Sequence, residues 1–304
     1  MRAVLAEFDK RLALHKLGTP FVSPLKEHGA PITLSEYRDW FLDSKKTAIR
    51  KGRPVHPKTQ YSYKHAMNTL ISAVGNVRIS LAPPQIRTFE ASLERYSVTS
   101  RSIIVRMLRA AWAFGMEEGI LSENPFRKIS ISKDRKIPAI LNTQEMDRIF
   151  EKIEDLQTRL GFSLARHAGL RRVEICRNVR WQDVDFDSKT LTIPEGKTGP
   201  GQRVPILPPL LAILKANRKE EGFIVDLRQD TFTHRVKEAR RAAGVNKPGA
   251  VRILRHTLGA GLLSQKVDIR TIQLLLRHSD ISTTQIYTQI PVETLGELLK
   301  GKKT

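Results

Sequence analysis

Apolar positions recur at the three- and four-residue spacing of a helix face through most of this chain, and alternate in strand rhythm in one short stretch. Leu34, Tyr37, Trp40 and Phe41 make the first such face. It is opened by Thr33-Leu-Ser-Glu36, a capping box whose hydroxyl and carboxylate satisfy backbone donors reciprocally. Ala66, Met67, Leu70, Ile71 and Val74 predict a second helix that stops at Gly75. Pro83-Pro84 opens a third, carrying Ile86, Phe89 and Leu93. A fourth turns Ile104, Leu108, Ala111 and Trp112 inward and ends at Gly119. These four predict a helical domain over residues 33–121. Before it, residues 1–32 hold Gly18, Pro20, Pro24, Gly29 and Pro31 and read as an arm. After it, residues 122–138 are basic, contain Pro125 and Pro138 and lack periodicity, so they read as a linker.

The second half, residues 139–304, opens with another cap signal, Asn142-Thr-Gln-Glu145, leading a helix through Ile149, Phe150 and Ile153. A more apolar helix ends at His167-Ala-Gly-Leu-Arg171. Between Lys189 and Ile206, alternating β-branched runs flank a Gly/Pro-rich turn, which predicts hairpins or a small sheet. From Pro208 onward the helical pattern returns. The fold class expected is mainly α with a small β-sheet, a helical domain followed by a mixed α/β one.

Charge narrows the function. A chain of 304 residues suits two domains, and 40% hydrophobic residues are enough to fill their cores, so its net charge of +21 is no mark of disorder. The excess is +12 over residues 1–137 and +9 over 138–304, as expected if both halves meet one polyanion. A pI near 10.3 makes nucleic acid the leading partner. A membrane surface is disfavoured, because no long helix joins a basic face to an apolar aromatic one. No apolar run is long enough to span a bilayer, and the first twenty residues are too charged for a secretory leader. The single cysteine, Cys176, excludes an internal disulfide and fits a reducing, cytoplasmic setting. Arg101, Arg106 and Arg109 on the fourth helix, and Lys58 and Lys64 beside Tyr61 and Tyr63, are the candidate DNA-facing residues. Each alone reads as an ordinary solvated side chain. Asp183, Asp185 and Asp187 alternate without a distant third ligand and read as turn and cap residues; no metal site or cofactor is predicted.

Four short motifs follow one another in order. Gly169-Leu170-Arg171 has Glu174 three residues later. Gly196-Lys197 lies in the turn before Arg203-Val204-Pro205-Ile206. Leu254-Arg255-His256-Thr257 follows, and then His278-Ser279 with Thr283-Thr284 and Tyr287. Each tripeptide alone is weak, but the ordered set resembles the tyrosine recombinase (phage integrase) family, over roughly residues 33–300 as a layout. The resemblance implies a helical core-binding domain and a catalytic domain that cuts and rejoins double-stranded DNA at specific sites, without ATP or metal. In that reading Arg171 and Arg255 bind the non-bridging oxygens of the scissile phosphate with fixed charge, and His278 adds a donor. Tyr287 is the nucleophile, leaving a 3′-phosphotyrosine. Lys197 protonates the departing 5′ oxygen, and Glu174 buttresses the arginines. The family also implies a homotetramer on two DNA sites, with the tail from Pro291 docking on a neighbouring protomer.

Two positions depart from the family pattern. Arg252 opens the second arginine box where histidine or lysine is usual. A guanidinium binds phosphate but is a poor general base, which predicts slow cleavage, or proton removal by water or a neighbour such as His256. Arg277 replaces the small residue usual before His278. It either crowds the turn or supplies a further phosphate contact. These departures leave open a DNA-binding protein of this fold with little catalysis, and a type IB topoisomerase shares the chemistry.

Overall fold

A computed structural model of the chain describes residues 33–47, 49–50, 53–132, 137–194, 201–291 and 294. The arm 1–32, part of the linker, the turn holding Lys197 and nearly all of the tail lie outside the described residues. Two compact units divide the chain, Met1–Asp134 and Arg135–Thr304.

In the first unit the predicted helices are α1 (Leu34–Thr47), α2 (Pro57–Val74), α3 (Pro83–Ser92) and α4 (Val98–Glu117). A two-stranded antiparallel pair, β1 (Ile49–Arg50) and β2 (Arg53–Pro54), joins α1 to α2. The Thr33 cap forms as expected, with the Thr33 backbone N–H donating to Glu36 Oε2 at 3.0 Å. α2 is the hub, packing on α1, α3 and α4. Tyr37, Phe41, Leu70, Phe89, Leu108 and Trp112 are fully buried in this core, and the Tyr37 hydroxyl donates to the Ala111 carbonyl at 2.7 Å. Burial of aromatic rings on this scale dominates the energetics of so small a domain.

The chain after α4 departs from the expected linker. Pro125–Lys128 forms a 3₁₀ turn that buries Phe126 completely, and Ile129 follows it into the same core. Phe126 and Ile129 are three residues apart, one face of a single tight turn, too short to register as periodicity among five basic residues.

The second unit holds α5 (Thr143–Glu151), α6 (Leu156–Ala168) and the short α7 (Arg172–Arg177). The strands β3 (Val184–Asp185), β4 (Thr190–Ile193) and β5 (Gln202–Pro205) follow. They make an antiparallel sheet in order β3-β4-β5, with Leu191 opposite both Val184 and Val204. Leu191 and Val204 point inward, as the alternating pattern requires. Then come α8 (Pro208–Ala216), α9 (Gln229–Ala242), α10 (Val251–Ser264), α11 (Ile269–Leu275) and α12 (Ser282–Gln285), the last running into a 3₁₀ turn over Ile286–Gln289. α6 packs on α10 and is wholly buried along most of its length, from Leu160 to Ala165. This pair of helices is the floor on which the candidate site is built. Among the described residues no helix is long and apolar enough to cross a membrane.

Candidate active site

α6 ends at Gly169, whose φ of +60° is the left-handed turn that closes a helix. A side chain there would also meet Leu276 Cδ2 at 2.8 Å, so the position demands glycine twice. The chain then reverses into α7 with Arg171 as its N-cap residue. Glu174 completes a cap: its Oε2 accepts the Arg171 backbone N–H at 2.7 Å, while its Oε1 accepts from the Arg171 guanidinium at 2.7 Å. The spacing Arg171-x-x-Glu174 is thereby explained as one helical turn that fixes the arginine at both ends.

α10 delivers the second arginine. Arg255 is buried, and its guanidinium donates to the carbonyls of Gly169 and Leu276. Arg171 Nη2 donates to the adjoining carbonyl, that of Arg277, at 2.6 Å. Two arginines 84 positions apart in sequence thus converge on consecutive carbonyls of the turn after α11. Burial first, then the charges of Arg171 and Arg277, lowers the Arg255 pKa to about 9, which leaves it cationic at neutral pH.

Arg277 does not crowd the turn: its guanidinium is buried and pairs with Glu174. Its Nη2 donates to Glu174 Oε2 at 2.9 Å and to the Gly169 carbonyl at 3.1 Å, and its Nη1 donates to the Leu275 carbonyl at 3.0 Å. Glu174 therefore sits between two arginines. Burial works to raise its pKa, but the charge of Arg277 and the bonds from Arg171 outweigh that and hold the carboxyl below its ordinary range.

His278 follows directly. Its Nδ1 lies 2.8 Å from the hydroxyl of the fully buried Thr284. Gln273 brackets its backbone, accepting nothing from the ring but donating to the His278 carbonyl at 3.0 Å. Burial and then the charges of Arg255 and Arg171 lower the ring to about 3, so it is neutral. Tyr287 lies on the 3₁₀ turn with its ring packed against Gly259 of α10: a Cβ there would lie 2.5 Å from the ring. Tyr287 is 1% exposed, and burial raises its phenol to about 12 against the lowering pull of Arg255 and Arg252. Its hydroxyl stands 3.2 Å from His256 Nδ1, and Arg252 Nε donates to His256 Nε2 at 3.1 Å.

Arg171, Glu174, Arg255, His278 and Tyr287 are thus gathered by the fold into one cluster. Lys197 lies outside the described residues. Arg277, His256 and Thr284 also enter the cluster: the sequence marked Arg277 as a departure and His256 as a possible proton acceptor, and held Thr284 only as part of the Tyr287 motif. In the first unit the three arginines of α4 differ in their surroundings. Arg106 is exposed, whereas Arg101 donates to the carbonyls of Tyr96 and Glu94, and Arg109 to those of Phe126 and Ile129. Lys58 and Lys64 are exposed on α2. The carboxylates of Asp183 and Asp185 accept backbone N–H groups of Arg180, Asp187 and Ser188.

Residues 139–293 match the model of the phage integrase family. The tyrosine recombinase XerC of Xanthomonas campestris pv. campestris (strain B100) is 29% identical over 292 residues, covering 89% of this chain and 88% of the relative. The tyrosine recombinase XerA of Thermococcus onnurineus is 32% identical over 257 residues, covering 79% of this chain and 87% of the relative. A lambda integrase tetramer bound to a Holliday junction superposes with a TM-score of 0.71 at 19% identity, over 84% of this chain and 77% of that one, a likeness of fold. The chain belongs to the phage integrase family and is a site-specific DNA recombinase of the tyrosine class.

Proposed function

We propose that this protein cuts and rejoins double-stranded DNA through a 3′-phosphotyrosine at Tyr287. The observation that carries the reading is the convergence of Arg171 and Arg255 on the turn that also presents His278, with Tyr287 packed on the helix that carries Arg255. Two fixed guanidiniums stabilise the charge that gathers on the non-bridging oxygens during attack, and their positions are set before DNA arrives. Glu174 and Arg277 hold Arg171 from beneath. Thr284 donates to His278 Nδ1, which presents Nε2–H to the phosphate. Lys197 supplies the proton for the 5′ oxygen that departs. The covalent link conserves the energy of the broken bond, so rejoining needs neither ATP nor metal.

Tyr287 is covered in the DNA-free chain, so the side chains over it must move aside for a phosphate to reach its hydroxyl. In this reading Lys58, Lys64 and Arg106, all exposed, contact backbone phosphates. Arg101 and Arg109 do so only by leaving their carbonyl partners. A homotetramer on two sites, in the cytoplasm and on the nucleoid, completes the reading; the lambda integrase relative is itself a tetramer on a Holliday junction. Deleting residues 291–304 is expected to weaken pairing of two sites while single-site binding persists; equal loss of both would contradict a tail that docks in trans. The test of the whole reading uses DNA flanking the gene. Covalent adducts should form, vanish in Tyr287→Phe, and give recombinant product only when two sites are supplied. Relaxation of any supercoiled plasmid without a site would instead indicate a topoisomerase.

A further inference from the structure

Arg252 and His256 lie one turn apart on α10, and the imidazole bridges them to the phenol. Arg252 Nε meets His256 Nε2 at 3.1 Å on one edge, and Tyr287 Oη stands 3.2 Å from His256 Nδ1 on the other. We propose that Arg252 fixes His256 as the Nδ1–H tautomer, making His256 a hydrogen-bond donor to the Tyr287 oxygen during both cleavage and rejoining. The proposal rests on Tyr287 as the nucleophile, and it excludes His256 as the base that removes the phenol proton.

A guanidinium carries five N–H donors and no acceptor, so the imidazole nitrogen facing it must offer a lone pair. A neutral imidazole has one proton, which is then on Nδ1. The opposite tautomer would set two N–H groups against each other. The ring is neutral at physiological pH, since burial, followed by the charges of Arg252 and Arg255, lowers it to about 4. The titratable groups that face it are Arg252 and Arg255 from its own helix, and Tyr287 and His278 from the segment packed on it. A phenolate at Tyr287 is the only anion among them, and the Nδ1–H is aimed at it.

In cleavage the phenol proton leaves to water and the Tyr287 oxygen bonds to phosphorus. The bond to the 5′ oxygen breaks with its electron pair, and that oxygen takes a proton from the acid assigned to Lys197. In rejoining the 5′-hydroxyl returns its proton to the group assigned to Lys197 and attacks phosphorus, and the tyrosyl oxygen departs with its electron pair as phenolate. The Nδ1–H bonds to that phenolate until water returns a proton. His256 keeps its own proton throughout, because losing it would leave an imidazolate beside Tyr287. Arg252 is a positioning residue acting through His256, and its presence in place of histidine is accounted for: the site stabilises the phenolate by donation rather than by a base at position 252.

Two measurements test this. ¹⁵N NMR of the full chain without DNA at neutral pH should show His256 protonated at Nδ1 and bare at Nε2, its signals assigned by their loss in His256→Asn. Arg252→Ala should mix the tautomers, and Arg252→Lys, still a donor only, should restore the first. An Nε2–H tautomer in the unmodified chain overturns the proposal. On nicked duplexes made from DNA flanking the gene, His256→Asn retains an N–H donor near the Nδ1 position but has no basic nitrogen. It should form adduct within about threefold of the unmodified rate, while His256→Ala should be slower by roughly a hundredfold, as for loss of one donor to a developing oxyanion. Equal impairment of the two variants overturns the donor role. An adduct that survives Tyr287→Phe overturns the nucleophile reading itself, a failure that the DNA-free tautomer measurement tells apart.

Discussion

Arg277 has a φ of +54°, in the left-handed region that favours glycine, immediately after α11. An arginine there carries a backbone cost of about 1–2 kcal/mol. It offsets that cost by pairing with Glu174 in a buried site, although its Nε has no partner among the described residues. Removing it leaves Glu174 with Arg171 alone. Arg277→Ala keeps the unfavourable backbone and loses the pair, whereas Arg277→Gly loses the pair but relaxes the backbone. In urea unfolding both variants should be less stable than the parent, and the glycine variant should exceed the alanine variant by about 1 kcal/mol. An alanine variant as stable as the parent would show that the Arg277–Glu174 pair supports nothing. The sequence marked Arg277 as unusual but could not aim it: its partner lies 103 positions away, and only the fold of α6 and α11 brings the two together.

At the scale of elements, the seat of Tyr287 on α10 is the contact most exposed to test. Gly259→Ala adds a methyl within 2.5 Å of the phenol ring, while alanine raises the helix propensity of α10 by about 1 kcal/mol. The helix should therefore persist and the 3₁₀ turn should shift. A displacement of roughly 1 Å at a reacting atom costs on the order of a hundredfold in rate. Adduct formation in Gly259→Ala should fall by about that factor with DNA affinity unchanged; an unchanged rate would show that Tyr287 leaves this seat before it reacts. The longer helices were legible because they carry an apolar face of two or more turns, with cap signals such as those at Thr33 and Asn142. The short β1–β2 pair and the turn that buries Phe126 were not, since two to four residues carry no period. The carbonyl partners of Arg101 and Arg109 were not legible for a related reason: spacing shows that two side chains share a helix side, but not that backbone carbonyls at Tyr96 and Phe126 lie within their reach.

For the molecule as a whole, the catalytic unit folds around several bases that are neutral because they are buried among cations. Against an ordinary 6.5, burial lowers His167 and His256 to about 4 and His278 to about 3. As pH falls below 6.5 the unfolded chain takes up protons first, so the stability held by these neutral rings is complete above 6.5 and is lost toward pH 4. Glu174, held below the ordinary carboxylate range, acts in the same sense at lower pH. The urea midpoint should decline steadily between pH 6.5 and 4 with net proton uptake on unfolding, and His278→Asn should flatten that decline. A midpoint constant over that range would contradict the buried, neutral assignment. With a net charge of +21 spread over both units, DNA affinity should also fall steeply with salt as counterions are released. The central claim remains the covalent one, and its most direct test is mass spectrometry of the protein trapped on a nicked duplex from its own flanking DNA. After nuclease and protease digestion, the account predicts a nucleotide phosphate on the peptide that carries Tyr287; an adduct on any other residue, or none where the parent protein recombines DNA, would contradict it.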